Sequence, residues 1–324
     1  MYLVYWELPD NSMLDNFVLH LVKLCIGITR STRTNMHVVI AASILFCIGL
    51  IGNSITVCFV AVSKQLHTPT YVTIGCLAVS DVLVSVTQYV RILPGPNEYL
   101  LKDNSRNLMY AIFSFLCIHS ACFHMVLVAY VRFVFITNPL RSLNLTCKRI
   151  LWMSFAVWIS SIVVSIGYGI DKVLFLMGIV SFETVFFIEV GFGSYVSGLP
   201  FIILVVFNVR KLYYLYNQTA YVRRTRIANS MSLMFFIITV IFLLHVIYPL
   251  FYEIDLAVLK DGSILNRRLD IVNKMYLFAL LVNSSLNPLV YFMFSPPVLR
   301  LLSRFRKYCN HCTYPCISNP SSGL

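Results

Sequence analysis

The sequence predicts an all-α fold: a bundle of seven membrane-crossing helices followed by a short amphipathic eighth helix. Three observations predict it. Apolar residues fill 59% of the 324 positions and charged residues only 12%, about half the charge of an ordinary soluble domain. The apolar residues gather into seven runs, each near or above the roughly 20 residues that carry a helix across a bilayer. The basic residues, which set the formal charge at +12, sit in the short loops between those runs. That is the pattern of membrane topology and not of a nucleic-acid groove.

The runs are 36–62, 70–93, 105–137, 148–170, 186–216, 226–254 and 270–294. The chain therefore divides into an outer N-terminal segment over 1–35, one helical bundle over 36–295, and an inner amphipathic helix and tail over 296–324. No internal repeat is present. The early stretch "FVLHLVKLCIGI" is too short to span and contains His20 and Lys23. It has neither the basic start nor the small-residue cleavage site of a signal peptide, and is expected to be an interfacial or loosely packed outer helix.

Orientation follows from Lys and Arg in the short loops. One face receives Lys64, Arg132, Arg141, Lys148, Arg149, Arg210, Lys211, Arg223, Arg224, Arg226, Arg300, Arg304, Arg306 and Lys307, with no acid among them. The opposite face receives the acids, among them Glu98, Asp103, Asp171, Glu183, Glu189, Glu253 and Asp261. The acid-free face is expected in the cytosol and the N-terminus outside, at the plasma membrane.

The cysteines do not describe a disulfide scaffold. Cys47, Cys58, Cys76, Cys117 and Cys122 lie inside apolar runs, where Cys behaves as a small buried hydrophobe. Cys309, Cys312 and Cys316 crowd the tail, and Cys25 faces the outer compartment without an evident partner.

Asp81, in "GCLAVSDVLVS", is the acid that lies well inside a run. A carboxylate at that depth costs roughly 2.5–3.5 kcal/mol on insertion scales, which makes it a functional candidate facing the bundle interior. The rival is that it only packs helices together. Its partners are expected to be Asn53 of "GLIGNSITV" and Asn283, Ser284 and Asn287 of "NSSLNPLVY". Asn283 and Asn287 are four apart and share a helical face. Pro288 removes a backbone hydrogen bond and kinks the helix, and Asn287 is the expected partner for the carbonyl so released.

These residues occur in a set order: an Asn in the first run, "LAVSD" in the second, Arg132 closing the third, Trp158, Pro200, Pro249, then "NPLVY". Over about residues 36–309 the chain resembles a rhodopsin-like G-protein-coupled receptor. The resemblance implies a ligand-gated switch that opens its inner end to a heterotrimeric G protein. It implies a polar core of Asn53, Asp81, Asn283, Ser284 and Asn287 that holds a sodium ion. It also implies coupling through Arg132, Pro139, Leu140 and Tyr291, with Trp158, Pro200, Pro249 and Pro288 as structural switch points.

Several positions depart from that family pattern. The acid usual before the arginine is Val131, and the acid often found at the inner end of the sixth run is Asn229. Without a carboxylate there, Arg132 lacks an ion pair worth about 0–1 kcal/mol when partly exposed, so raised basal signalling is expected. Leu243 and Ile247 replace the aromatic switch, Asn208 replaces a tyrosine, and Ala121 stands where a sodium-site serine is common, beside Ser120. The usual outer disulfide is missing: its position is Asn107, and residues 171–190 contain no Cys. "IGCLAVSDVLVSV" is similar to melanocortin, lysophospholipid and cannabinoid receptors, which also lack that cysteine, and "LHTPTY" is similar to odorant receptors.

Ligand chemistry is narrowed by exclusion. The retinal lysine position is Leu281 and the amine-receptor aspartate position is Ser114. Outer-half contact candidates are Arg91, Tyr110, Ser114, Glu189, Tyr248, Tyr252, Glu253, Lys274 and Tyr276. Arg91 suits an anionic head group, or else pairs with a nearby Glu or snorkels. A lipid, an odorant-like small molecule and a peptide stay open.

In "SPPVLRLLSRFRKYC", Val298, Leu301, Leu302 and Phe305 recur at helical spacing opposite Arg300, Arg304 and Lys307. This is an interfacial helix drawn to anionic membrane lipids, with Cys309, Cys312 and Cys316 as palmitoylation candidates. A metal site with His311 is the rival there. An ion or solute transporter using Asp81, or a non-signalling scaffold on the same fold, is the alternative function. Enzyme chemistry has no motif to support it: there is no P-loop, HExxH or nucleophile elbow.

Overall fold

The computed structural model describes residues 34–93, 104–217 and 277–289, and every described element is helical. Helix α1 covers Thr34–Val62, α2 Pro69–Ile92, α3 Asn104–Thr137 and α4 Cys147–Leu176. Helix α5, Phe182–Gly193, runs through a π-helical turn, Ser194–Gly198, into α6, Leu199–Asn217. Helix α7 covers Leu277–Leu289. Five of the described helices are long and apolar enough to cross a membrane. The sixth predicted run, the N-terminal segment and the amphipathic tail with Cys309, Cys312 and Cys316 lie outside the described residues.

Helix boundaries follow local chemistry. A 3-10 turn, Lys64–Leu66, closes α1 and buries Leu66 completely. Pro69 opens α2 at a first-turn position, where its missing N–H leaves nothing unsatisfied. Leu93, φ −69° and ψ 131°, ends α2 in extended backbone, as the residue before Pro94 must. Thr146 caps α4 by accepting from the Arg149 N–H at 3.3 Å. At the other end Gly178 takes φ +71°. Ile179 N–H donates to Leu174 O and Gly178 N–H to Phe175 O, the paired bonds of a Schellman stop.

That stop lies beyond the predicted end at 170. The helical signal continues through Asp171 and Lys172, so both belong to α4 instead of to an outer loop, and Asp171 is buried. The π turn also has a local cause. Pro200 cannot donate to the Val196 carbonyl and its ring crowds it. The backbone widens there, and Leu199 N–H donates to Ser194 O, five residues back.

Helices α2 and α3 form the centre of the bundle, each with 61% of its spanning window buried, against 28% for α1 and 22% for α4. Cys47 and Cys58 on α1 are accordingly exposed. Their placement corrects the expectation that all five intramembrane cysteines are buried: α1 contributes one face to the bundle and leaves the others to lipid. Cys117 and Cys122 on α3 are buried as expected.

Candidate polar core, inner end and outer end

Helices α1, α2 and α7 meet around Asp81. Close approach is possible because Gly49 and Gly52 have no side chains: a Cβ on Gly52 would stand 2.8 Å from the Pro288 ring, and one on Gly49 2.8 Å from Ser285 Oγ. The Asn287 amide donates to Asp81 Oδ2 at 2.7 Å. Asn53 Nδ2 donates to the Ser284 carbonyl at 3.0 Å, and Ser85 Oγ and Ser284 Oγ are 3.0 Å apart. Ser285 Oγ reaches Leu45 O of α1 at 2.8 Å.

The Ser284 carbonyl is the one that Pro288, four residues on, leaves without its helical donor. Asn53 of α1 fills that role, and Asn287, expected to do so, serves Asp81 instead. The reason is direction: the carboxylate of α2 offers Asn287 a charge-assisted acceptor. Asn283 is buried on α7 but forms no hydrogen bond with the other four.

Asn53 Oδ1, Asp81 Oδ1 and Asn287 Oδ1 are buried with no hydrogen-bond partner. Oxygen donors that include a carboxylate are what a hard cation takes, so these residues fit sodium. Helix α3 adds no hydroxyl: Ala121 packs with Val84 and Cys117, and Ser120 bonds to Ser80 at 2.9 Å.

A second polar cluster, which the sequence reading missed, joins α2, α3 and α4. His124 Nδ1 donates to the Ser120 carbonyl at 2.8 Å, so Nε2 accepts from the Ser154 hydroxyl at 2.7 Å. Its ring lies 5.8 Å from that of Trp158, giving that candidate a packing role. One turn outward, Ser161 Oγ donates to Val157 O and receives His119 Nδ1 at 2.8 Å. The His119 ring stacks on Phe123 and Tyr195. Two histidines in the apolar stretch "IHSACFHMV" were the available signal.

At the inner end Val131 is fully buried with Leu127, Val134, Leu145 and Ile150. The position usual for an acid is an apolar seat between α3 and α4. Arg132 is 6% exposed and Lys211 4%. Lys211 Nζ donates to Asn208 Oδ1 at 3.2 Å. Pro139 opens a one-turn helix, Pro139–Ser142, which holds Leu140 out at 83% exposure. Tyr291 and Pro249 lie outside the described residues.

At the outer end, two ligand candidates are engaged with α2. The Tyr110 hydroxyl donates to the Thr87 carbonyl, and Gln88 Nε2 donates to Ser114 Oγ at 3.0 Å. Arg91, half-buried in the last turn of α2, lies close enough to Tyr110, Tyr168 and Lys172 for its charge to act on all three. Lys172 stands over the Tyr168 ring at 5.3 Å. Glu189 lies on α5; Tyr248, Tyr252, Glu253, Lys274 and Tyr276 lie outside the described residues. An apolar cavity of about 390 Å³ opens between α4 and α5, lined by Val164, Gly167, Ile188, Gly191, Phe192 and Tyr195. Of the predicted contact residues, the described Arg91, Tyr110 and Ser114 do not line it.

Comparison with known proteins agrees with this architecture. Human olfactory receptor 2AE1 is 28% identical over 166 residues, 50% of this chain and 48% of that protein. Human olfactory receptor 10A7 is 30% identical over 146 residues, 44% of this chain and 46% of that protein. Mouse olfactory receptor 5K16 is 27% identical over 161 residues, 48% of each chain. The matched stretches thus span about half the length of these relatives. The family described as 7 transmembrane receptor (rhodopsin family) matches residues 52–291. That match runs from Gly52, on the α1 face that receives α7, through Tyr291. The chain belongs to the rhodopsin family of seven-transmembrane receptors and has its all-α, multi-pass membrane fold.

Proposed function

We propose that this receptor converts binding of an extracellular ligand into activation of a heterotrimeric G protein, with its N-terminus outside the plasma membrane. The observation that carries the reading is the bond from Asn287 to Asp81 beside Pro288. It ties α7 to α2 at the point where α7 lacks a helical hydrogen bond, so one element can rest in two packings. Arg132 and exposed Leu140 occupy the end of the bundle where the basic loops gather, as a cytosolic partner requires. The relatives' name, olfactory receptor, directs the ligand search to odorants. Sodium would sit at Asp81 and hold the resting packing, and the tail cysteines would carry palmitate.

The test is G-protein activation in cells expressing the full chain, with and without an odorant library. A ligand-dependent rise supports the proposal; no rise for any ligand, together with basal output equal to that of empty cells, rejects it. Raised basal output is expected because Val131 and Asn229 stand where the family usually carries acids. Val131→Asp is expected to lower it; unchanged output would remove that part of the proposal.

A further inference from the structure

We infer that the seam between α3, α4 and α5 binds an apolar molecule with one hydroxyl group, which enters from the bilayer and donates a hydrogen bond to His119 Nε2. The inference rests on the reading of the chain as a receptor for small odorant-like ligands and narrows it to one chemical class and one anchor.

His119 is completely buried midway along α3. Ser161 spends its one proton on the Val157 carbonyl at 2.8 Å, so its oxygen accepts from His119 Nδ1, also at 2.8 Å. Nδ1 therefore carries the ring proton. The ring stacks on Phe123 and Tyr195, where a charge would be costly, so the imidazole is neutral and Nε2 is a bare acceptor. His124, one turn away, has both ring nitrogens engaged. His119 Nε2 is buried without a hydrogen-bond partner. An acceptor left so in apolar surroundings is unfavourable. A hydroxyl answers it, whereas a ketone, an ester or an ether, which only accept, cannot.

The cavity of about 390 Å³ between α4 and α5 is the way in, and its volume suits a small molecule. Val164 and Gly167 of its wall follow Ser161 by three and six residues along α4. A Cβ on Gly191 would meet nothing within 4 Å. Val163, Ile166 and Phe187, beside the lining residues in sequence, are exposed, so the mouth opens into hydrocarbon, where apolar alcohols and phenols gather from water. Apart from Tyr195 the lining side chains are apolar, which limits the occupant to a single polar end. Tyr195 is the wall that cavity and anchor share: it lines the cavity, and its ring lies 5.6 Å from that of His119. It is 37% exposed and belongs to the π turn, Ser194–Gly198, a distortion that recurs at functional sites. A partly exposed ring changes rotamer quickly, so Tyr195 swings toward lipid and admits the hydroxyl to Nε2.

The full chain in phosphatidylcholine nanodiscs, titrated with para-butylphenol and with para-butyltoluene, tests this by thermal unfolding. The two compounds differ by a hydroxyl exchanged for a methyl group. The phenol is expected to raise the unfolding temperature with a midpoint concentration on the order of tenfold below that of the hydrocarbon. His119→Phe keeps a stacked ring, leaves Ser161 bonded to Val157, and should bring the two midpoints together. Val164→Phe fills the mouth and should weaken both compounds. Equal midpoints in the native chain, an undiminished gap in His119→Phe, or undiminished binding in Val164→Phe overturns the inference. If the His119 variant does not fold, the native-chain comparison and Val164→Phe decide. No G protein enters the assay. A phenol-selective rise without ligand-dependent G-protein output would keep the site and reject coupling; output with odorants but no such rise would do the reverse.

Discussion

Asn53 of α1 donates its side-chain amide to the Ser284 carbonyl of α7 at 3.0 Å, the acceptor that Pro288 leaves without a helical donor. An unsatisfied buried carbonyl costs about 1–3 kcal/mol. Asn53→Ala is therefore expected to lower thermal stability clearly in the native chain. In a Pro288→Ala background the restored N–H serves Ser284, and the same substitution should cost less. A double-mutant cycle on purified receptor checks this; equal losses in both backgrounds would show that the two residues are not coupled.

The seat of α7 on α1 depends on the missing side chain at Gly52. Gly52→Ala places a methyl group 2.8 Å from two Pro288 ring carbons, an overlap that a ring held in a packed helix cannot relieve cheaply. A loss of about 1–3 kcal/mol is expected. Gly191→Ala meets nothing within 4 Å and serves as the control. Unfolding midpoints of the two variants should separate; coincident midpoints would mean that α7 sits away from Gly52.

His124 holds α3 to α4 through Ser154 and packs on Trp158. His124→Leu keeps apolar volume but strands the Ser154 hydroxyl, with an expected cost of about 1–3 kcal/mol. Adding Ser154→Ala removes the stranded group and should recover part of the loss. No recovery in unfolding measurements would argue that packing on Trp158, and not the hydrogen bond, carries the contact.

Sodium at Asp81 predicts that sodium chloride stabilises the purified receptor more than choline chloride does. Asp81→Asn keeps an acceptor for Asn287 but removes the cation's counter-charge, and should abolish the difference. A native receptor indifferent to the cation would discard sodium as its allosteric ion.

Much of this was legible in the sequence because bilayer physics writes in long words. The apolar runs corresponding to α1–α4 and α6 stand out by length alone, and Asp81 by the cost of its position. Partner choice was less legible. Whether Asn53 or Asn287 serves the carbonyl freed by Pro288 depends on which side chain the helix rotation aims at it, and no residue spacing encodes that. His119 and His124 carry no formal charge to mark them in an apolar run, although a neutral imidazole in lipid has the same demand for partners. Lys211 looked like one more basic loop residue, and only the packing of α6 on α3 shows it buried.

Helix α4 turns the ordinary rule for protein interiors inside out. Ser154, Ser161 and Ser165 face the bundle, while Leu151, Trp152, Phe155, Ile162, Val163 and Ile166 face away from it. A variant of this receptor meant to live in water would keep the serine seam untouched and repaint the greasy side with glutamate, glutamine and lysine. The seam alone already specifies which way the helix must turn, so such a recolouring would leave its docking address unchanged.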